Sequence, residues 1–391
     1  MTIKLSTETA LPTDGTAGTL FGRIWRPDLD GPSVVAVRGD GVYDISATFP
    51  TSRDVCEAPD PAAAVKAAAG EKVCDLASLL ANTPEASRDP RKPWLLAPID
   101  LQAIKAAGVT FAISLLERVI EEQARGAPER AVAVRAEVEA ALGGTVEGLV
   151  PGSPQAMELK RLLQSKGLWS QYLEVGIGPD AEIFTKAPAM SAVGTGVSIG
   201  LLEGSVWNNP EPEVVLAVSS TGKIVGATLG NDVNLRDLEG RSALLLSKAK
   251  DNNASTSLGP FIRLFDQGFT LDDVRRATVT LVVEGTDGFR LEGSSAMEKI
   301  SRDPADLVAQ MIGPHHQYPD GAVLFLGTMF APIQDRDGPG QGFTHHLGDI
   351  VTIASDKLGA LVNEVKLSNQ APPWTFGAGH LMRNLAKRGL L

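Results

Sequence analysis

The sequence predicts an α+β protein with a small N-terminal α+β domain, residues 1–95, and a larger C-terminal domain, residues 96–391, built on a mixed β-sheet or barrel. Three observations lead to this prediction. Hairpin signals and short apolar runs fill residues 18–46, helical patterns occupy about 110–167, and short β-branched runs separated by turn residues recur after residue 170. Few crossover helices separate those runs, which favours a curled mixed sheet over a doubly wound one.

The composition is that of an ordinary globular protein, for which we expect a small-molecule substrate by default. The 391 residues are 43% hydrophobic and 21% charged, with a formal net charge of −11. No block of Lys or Arg stands out, which argues against a nucleic-acid or membrane partner. The N-terminus lacks an apolar signal core, and no stretch reaches the roughly 18 apolar residues of a membrane span. Cys56 and Cys74 are the only cysteines, a count that suits a reducing compartment and leaves one disulfide open. With the missing signal core, this leads us to expect a cytoplasmic protein.

The first 95 residues predict a small antiparallel sheet covered by short helices. The runs G-T-L-F-G-R-I-W, S-V-V-A-V-R and V-Y-D-I alternate with turns, and R-G-D-G is a hairpin signal. The Ala-rich stretch from Asp60 to Ala69 and the run near Leu80 predict the helices. The segment from Asp89 to Asp100 carries three prolines, and we expect it to be an extended linker between the two domains.

Between the linker and the β-rich part, the sequence predicts three helices. The first runs from Ala112 to Arg125 and the second from Glu129 to Leu142, both with an amphipathic pattern. Ser153 followed by Pro154 is an N-cap with proline at the first helical position, and this third helix is expected to end at Gly167.

Two carboxylates stand at the mouth of a predicted strand. In N-N-P-E-P-E-V-V-L-A-V, Glu211 and Glu213 precede an apolar run that a turn closes. Because alternate residues of a strand share a face, both carboxylates project to one side, roughly 7 Å apart at their Cα atoms. Like charges at that separation repel each other unless a cation lies between them, so the pair indicates a metal site. A solvated strand start is the alternative.

Two further motifs follow along the chain. Asp232 stands in G-N-D-V-N-L-R-D, and Lys250 stands in S-K-A-K-D, ahead of a Gly-Pro pair. The series E-P-E, N-D-V-x-x-R-D and Lys resembles the fumarylacetoacetate hydrolase superfamily. The resemblance runs from about Leu95 to Val365, and it implies that family's fold for the C-terminal domain, with lid helices at about 110–167.

The resemblance implies one Mg²⁺, or Mn²⁺, bound by Glu211, Glu213 and Asp232. Three carboxylates without His or Cys suit such a hard cation and leave room for a bidentate 2-oxo acid. The metal would stabilise the enolate that forms when the neighbouring carbon loses a proton. Beside the ion, Lys250 is expected to find its ammonium form disfavoured and to act as base or enolate donor.

The lid segment departs from that of the family's hydrolases. Those enzymes carry a His on a lid helix and, three residues later, a Glu, which together activate water. The segment A-G-V-T-F-A-I-S-L-L-E-R resembles this lid, with Ser114 at the His position and Glu117 at the Glu position. The incomplete dyad argues against hydrolysis of a carbon–carbon bond. Glu117 is expected to protonate a leaving hydroxyl, with Glu121 and Glu122 as rival lid carboxylates.

The motifs G-V-T-F-A-x-S, S-V-W-x-x-P-E-P-E and F-x-K-A look most like the 2-keto-3-deoxy-pentonate dehydratases of the superfamily. This implies dehydration of 2-keto-3-deoxy-D-xylonate, or of 2-keto-3-deoxy-arabinonate, to 2-oxoglutarate semialdehyde by enolate formation and β-elimination of water. Thr328, Lys186 and Ser114 are expected to bind the substrate. The family's pockets lie near subunit contacts, which implies a homodimer or homotetramer.

Other functions stay open at this point. An acylpyruvate-type hydrolase or an oxo-acid decarboxylase would use the same metal site, and a metal-binding sugar-acid sensor would need no lid acid. The two histidine pairs, His315-His316 and His345-His346, lie in polar or turn-rich surroundings. Because neighbours on a strand face opposite ways, we do not expect either pair to share a metal.

Overall fold

The fold is α+β, as the sequence predicts, and is seen in a computed structural model that describes residues 2–142, 148–165, 167, 169–330 and 332–391. Many short strands alternate with a few helices. The strands are β1 (Leu20–Arg26), β2 (Gly31–Arg38), β3 (Gly41–Asp44), β4 (Glu71–Cys74), β5 (Trp94–Leu96), β6 (Ala103–Gly108), β7 (Glu182–Ala187), β8 (Ser198–Leu201), β9 (Asn208–Asn209), β10 (Pro212–Val218), β11 (Ile224–Asp232), β12 (Asn234–Leu235), β13 (Thr256–Leu264), β14 (Thr278–Glu284), β15 (Arg290–Ala296), β16 (Ala322–Phe325), β17 (Ile350–Ser355) and β18 (Gly359–Leu367).

The helices are concentrated near the N-terminus and between β6 and β7. Most are short, and the longest two lie in the predicted lid region. The α-helices are α1 (Thr7–Ala10), α2 (Ser52–Glu57), α3 (Pro61–Ala67), α4 (Leu76–Asn82), α5 (Ala112–Ala124), α6 (Pro128–Leu142), α7 (Pro154–Ser165), α8 (Gln171–Ile177), α9 (Arg236–Glu239), α10 (Leu246–Lys250), α11 (Leu271–Arg275), α12 (Pro304–Met311) and α13 (Ala378–Lys387). None of the helices in the described ranges is long and apolar enough to cross a membrane.

The main sheet has eleven strands in the order β4-β3-β2-β1-β13-β11-β10-β16-β6-β7, and β5 pairs with β1 beside this path. The pairs are antiparallel except β16 with β6. The two end strands β4 and β7 do not pair with each other among the described residues. The sheet is therefore mixed and open, and it does not close into the barrel that the sequence left as an alternative.

A second sheet of five strands covers one face of the main sheet. Its order is β15-β14-β17-β18-β8, with β18 and β8 parallel, and β9 and β12 form a small separate ribbon. Along β10, Val214 and Leu216 belong to the apolar cluster shared with this second sheet, whereas Val215 and Ala217 belong to the cluster under α2 and α3. The period-two alternation of β10 thus supplies two cores at once.

The N-terminal strands extend the main sheet rather than forming one of their own. Leu20 of β1 pairs with Arg263 of β13, so β1 to β4 continue the sheet that carries the later strands. The expected linker also contains a strand, because the W-L-L run of β5 pairs with β1 and Leu95 is buried in the core. The domain boundary at residues 95 and 96 stays a prediction.

The lid helices form where the sequence predicts them. Helices α5, α6 and α7 correspond to the three expected helices, and the Oγ of Ser153 accepts a hydrogen bond from the Ala156 amide as an N-cap does. With α8 they bury an apolar cluster of their own, which includes Val119, Ile120 and Leu173. The lid is therefore a small helical layer with its own core.

Candidate active site

The hairpin of β10 and β11 brings three carboxylates together. Glu213 is paired with Gly230 in the register, and the Asp232 amide donates to the Glu211 carbonyl at 3.1 Å. Asp232 is thereby placed beside Glu211 at the open end of the hairpin. Each of the three side chains offers an oxygen within 4.8 Å of the others. The sequence-predicted metal ligands are thus neighbours in the folded chain.

The three carboxylates are buried, and one of them lacks a cationic partner. Glu211, Glu213 and Asp232 are 3%, 1% and 2% exposed. Glu213 accepts from the Gly327 amide at 2.6 Å and forms no ion pair with any described residue. Burial, together with Asp232 and Glu211, raises the pKa of Glu213 well above its usual range. Because a buried carboxylate requires a positive charge, the residues fit a hard divalent cation such as Mg²⁺ or Mn²⁺.

Lys250 lies against this group of carboxylates. Its Nζ lies 2.7 Å from Glu211 Oε2, 3.2 Å from Asp232 Oδ1 and 3.3 Å from Glu239 Oε1. Burial opposes the ammonium, but Asp232, Glu211 and Glu239 outweigh it and raise the pKa of Lys250 above its ordinary value. A cation bound by the carboxylates would offset their effect on Lys250.

Lys186 is fully buried and faces the backbone of the loop after Lys250. Its Nζ donates to the carbonyls of Lys250, at 2.5 Å, and Ser255, at 3.1 Å, and it pairs with Asp232 Oδ1 at 3.1 Å. It is absent from the described residues that line the cavity beside the carboxylates. Its surroundings are those of a side chain that holds Asp232 and this loop, and its predicted substrate contact stays a prediction.

The cavity beside the carboxylates is lined from several parts of the fold. The three carboxylates, Lys250, Thr328 and Ser114 line it, so most of the sequence-predicted site residues converge there. Its lining also includes Arg118, Tyr172, Glu182 and Glu239. The hydroxyl of Ser114 donates to the Phe111 carbonyl at 2.8 Å within the first turn of α5.

Glu182 is a cavity carboxyl that the sequence reasoning missed. It begins β7, where its backbone pairs with Gly108 of β6, and its side-chain carboxyl forms no hydrogen bond or ion pair with any described residue. Burial, and next the negative charge of Glu239, raises the pKa of Glu182 to about 7. Such a carboxyl keeps its proton near neutral pH and can donate it. The signal available in the sequence was the position of Glu182 at the start of the strand that carries Lys186.

Glu117 has a different environment from the one expected. Both of its oxygens accept hydrogen bonds from guanidinium groups. Oε1 accepts from Arg135, and Oε2 accepts from Arg135 at 2.8 Å and from Arg236 at 2.6 Å. Burial opposes ionisation, but Arg135 and Arg236 outweigh it and lower the pKa of Glu117. Glu117 is not among the described cavity-lining residues, and neither are its rivals Glu121 and Glu122. Its role as the acid stays a prediction.

The histidines do not contribute to the metal group. Among the described residues, Glu211, Glu213 and Asp232 are the only such cluster of possible metal ligands. His345 is buried, with its Nδ1 3.2 Å from Asp349 Oδ2, and Arg336 binds the same carboxylate at 2.6 Å. This arrangement secures the loop ahead of β17.

Comparison with known proteins agrees with this geometry. Residues 179–366 match the sequence profile of the family described as fumarylacetoacetate (FAA) hydrolase C-terminal. The matched stretch makes up slightly less than half of the chain. The matched region contains the three carboxylates, Lys250, Glu182 and Thr328, so the fumarylacetoacetate hydrolase region supplies most of the cavity.

Two curated relatives are sugar-acid dehydratases by description. A 2-dehydro-3-deoxy-D-arabinonate dehydratase of Saccharolobus solfataricus is 34% identical over 188 residues, 47% of this chain and 58% of that relative. A probable 2-keto-3-deoxyxylonate dehydratase of Haloferax volcanii is 28% identical over 268 residues, 68% of this chain and 73% of that relative. The chain thus matches just over half the length of the first relative.

Solved structures share the fold over most of the chain. A hexagonal crystal form of 2-keto-3-deoxyarabinonate dehydratase has a TM-score of 0.60 at 22% identity, covering 89% of this chain and 99% of that one. A 2-keto-3-deoxy-D-arabinonate dehydratase complexed with magnesium and 2,5-dioxopentanoate has a TM-score of 0.58 at 22% identity, with the same coverage. The chain therefore has the same fold as these proteins.

Proposed function

We propose that the protein is a metal-dependent hydro-lyase that dehydrates 2-keto-3-deoxy-D-xylonate, or 2-keto-3-deoxy-arabinonate, to 2-oxoglutarate semialdehyde. The observation that carries the proposal is one cavity that joins a buried carboxylate trio, Lys250 and the unpaired carboxyl of Glu182. The descriptions of the two curated relatives, and of the solved structure with magnesium and 2,5-dioxopentanoate, support the same reaction class.

The reaction needs one group that removes a proton and one that returns a proton. Loss of a C3 proton and of the C4 hydroxyl releases one water and leaves a C3=C4 double bond. Transfer of a proton from C5 to C3 then gives the C4=C5 enol, which becomes the aldehyde when its hydroxyl proton is lost and C4 gains a proton. When bound by Glu211, Glu213 and Asp232, Mg²⁺ or Mn²⁺ would supply Lewis-acid stabilisation of negative charge on the oxygens of the 2-oxo acid. Lys250 is placed to take the C3 proton or to donate to the resulting oxyanion.

Glu182 suits the return of a proton to the departing hydroxyl. It lines the cavity without a partner, whereas the carboxylate of Glu117 is occupied by two guanidinium groups. An acid must hold its proton at the working pH, which favours the carboxyl whose pKa is raised over the one whose pKa is lowered. Arg118 and Thr328, which also line the cavity, would bind the substrate carboxylate and hydroxyls.

The position of Glu182 can be disturbed without changing any charge. A Cβ atom at Gly108 would collide with the Glu182 carboxylate, because the two residues are paired across β6 and β7. Gly108→Ala should therefore displace the proposed acid and reduce dehydration while leaving the carboxylate trio in place.

The deciding experiment is incubation with each of the two 2-keto-3-deoxy-pentonates and Mg²⁺. Formation of 2-oxoglutarate semialdehyde is expected, whereas formation of pyruvate or of no product would reject the proposal.

For the alternative of a hydrolase, the described cavity residues include no histidine to activate water. Release of carbon dioxide from an oxo acid would instead indicate the decarboxylase. The homodimer or homotetramer and the cytoplasmic location stay predictions.

A further inference from the structure

The lid helix α5 is joined to the segment after Asp232 by buried ion pairs that the dehydration scheme does not use. Arg236 is the first residue of α9 and is 2% exposed. Its Nε donates to Glu121 Oε1 and its Nη2 to Glu117 Oε2, each at 2.6 Å. Its guanidinium also stacks over the Trp207 ring, 4.5 Å from the ring centroid.

The two glutamates are spaced to bind one guanidinium together. Glu117 and Glu121 are four residues apart on α5, so they lie one turn apart on the same face of the helix. Arg236 bridges them, and Arg135 of α6 binds Glu117 from the other side. One side chain of α9 thus holds two successive turns of the lid helix.

Backbone packing at the end of α5 points to the same junction. A Cβ on Gly240 would lie 2.8 Å from the Glu121 carbonyl oxygen and 2.9 Å from the Gly126 Cα. Gly126, at φ +69°, in turn contacts the carbonyl of Asp237. Glycine at both positions lets the end of the lid helix rest directly on α9.

The apolar contacts of the lid do not replace this junction. Val119, Ile120 and Ala124 of α5 belong to a cluster made chiefly by the lid helices themselves. Trp207, on which Arg236 stacks, is the member of that cluster contributed from the segment before β9. The orientation of α5 relative to α9 therefore depends strongly on the ion pairs.

Arg118 lies next to the junction. Arg118 lies between Glu117 and Glu121 on α5 and lines the cavity. It donates to Glu211 Oε1 at 2.7 Å and to Glu121 Oε2 at 2.8 Å, and it also pairs with Glu239. A small rotation of α5 would withdraw this guanidinium from the cavity, because an arginine carried on a helix follows the rotation of that helix.

We propose that Arg236, Glu117 and Glu121 form a latch that fixes the lid helix and thereby places Arg118 in the substrate cavity. Glu117 and Glu121 are positioning residues in this arrangement. The expected effect on KM rests on the proposed dehydration, whereas the expected effect on the position of the lid helix does not.

The test compares Glu117→Gln and Glu121→Gln with Glu129→Gln, an exposed glutamate at the start of α6. Three quantities are measured: hydrogen–deuterium exchange of α5 amides, affinity for Mn²⁺, and kcat and KM for the sugar acid. Each latch variant should speed α5 exchange by about tenfold and raise KM by about tenfold, the size expected for one lost charge-assisted hydrogen bond. We expect kcat and Mn²⁺ affinity to stay within about threefold, and the control to match wild type.

Gly240→Ala gives a second test that changes no charge. Its added Cβ should push α5 away from α9 and reproduce the faster exchange and higher KM of the glutamate variants. The inference is overturned if Glu117→Gln lowers kcat by about 10²-fold or more with unchanged α5 exchange, because Glu117 would then be the acid. It is equally overturned if α5 exchange is unchanged in all three variants. Absence of dehydration in wild type would reject the proposed function, while the exchange measurement would still decide the latch.

Discussion

The ammonium of Lys250 lies 2.7 Å from Oε2 of Glu211, so the proposed base shares a hydrogen bond with a proposed metal ligand. Arg118 donates to the other oxygen of the same carboxylate at 2.7 Å. Glu211 therefore connects the β10–β11 hairpin with Arg118 of the lid helix α5 and with Lys250 at the end of α10. The predictions below separate the contributions of these groups.

Replacing Lys250 by Met should abolish the proton-transfer step. The change nearly preserves volume but removes the amine that is placed to take the C3 proton. We expect the variant to lose dehydration. It should also lose deuterium exchange at the carbon next to the oxo group of a 2-oxo acid, which NMR in deuterated water measures. Retained exchange would show that another group is the base.

Replacing Glu182 by Gln should uncouple the two steps. The variant keeps Lys250 and the carboxylate trio, so deuterium exchange at C3 should continue. Dehydration should fall by about 10²- to 10⁴-fold, the usual cost of removing a general acid. A variant that lost exchange but still responded normally to Mn²⁺ would instead identify Glu182 as the base.

Replacing Glu213 by Gln should prevent binding of the divalent cation. Glu213 is buried beside two other carboxylates, and an amide cannot supply the missing negative oxygen. Calorimetric titration with Mn²⁺ should show loss of binding, and turnover at ordinary Mg²⁺ concentrations should disappear. Glu203→Gln, at an exposed position, is the matched control and should bind Mn²⁺ as wild type does. Unchanged binding in Glu213→Gln would reject the site.

The rate of dehydration should fall as the pH rises above about 7, the pKa to which burial and Glu239 raise Glu182. Glu239 and Glu211 favour the protonated acid, while Arg118 and Lys250 oppose it. An acid is active in its protonated form, so the fraction of protein with an active Glu182 is constant well below this pH and falls by about tenfold per unit above it. The fall should vanish from the pH profile of Glu182→Gln. If the pH profile of Glu182→Gln matches that of the wild type, a group other than Glu182 causes the pH dependence.

Replacing Asp349 by Asn should destabilise the fold. Asp349 is fully buried, and although burial favours protonation, Arg336 and His345 lower its pKa below the usual range. The stability it contributes is therefore complete above the unfolded pKa of about 3.9 and is lost as the pH falls through the lower folded value. Urea unfolding at pH 7 should show a loss of about 3 to 5 kcal/mol, the cost of breaking a buried pair. Asp337→Asn, at a part-exposed pair, should cost less than about 1 kcal/mol.

The sequence by itself determined the carboxylate trio and the lid helices. Glu211 directly precedes β10 and Glu213 lies within it, so the two share one side of the strand, and the resemblance added Asp232. Asp232 ends the next strand of the same hairpin, which brings the three together. Helices α5 and α7 carry amphipathic patterns, and Ser153 caps α7, which are also local features. Contacts that follow from backbone periodicity over short distances can be read directly from the order of the residues.

Only the tertiary structure decided which glutamate faces the cavity. Glu182 reaches it because β7 pairs with β6, whereas Glu117 turns to Arg236, a residue far along the chain. The opposite pKa shifts of the two carboxyls follow from burial without a partner in one case and from two guanidinium partners in the other. The open sheet and the strand within the expected linker were likewise settled by long-range pairing. These partners cannot be predicted from the spacing of residues along the chain, because strand order and the packing of the lid determine them.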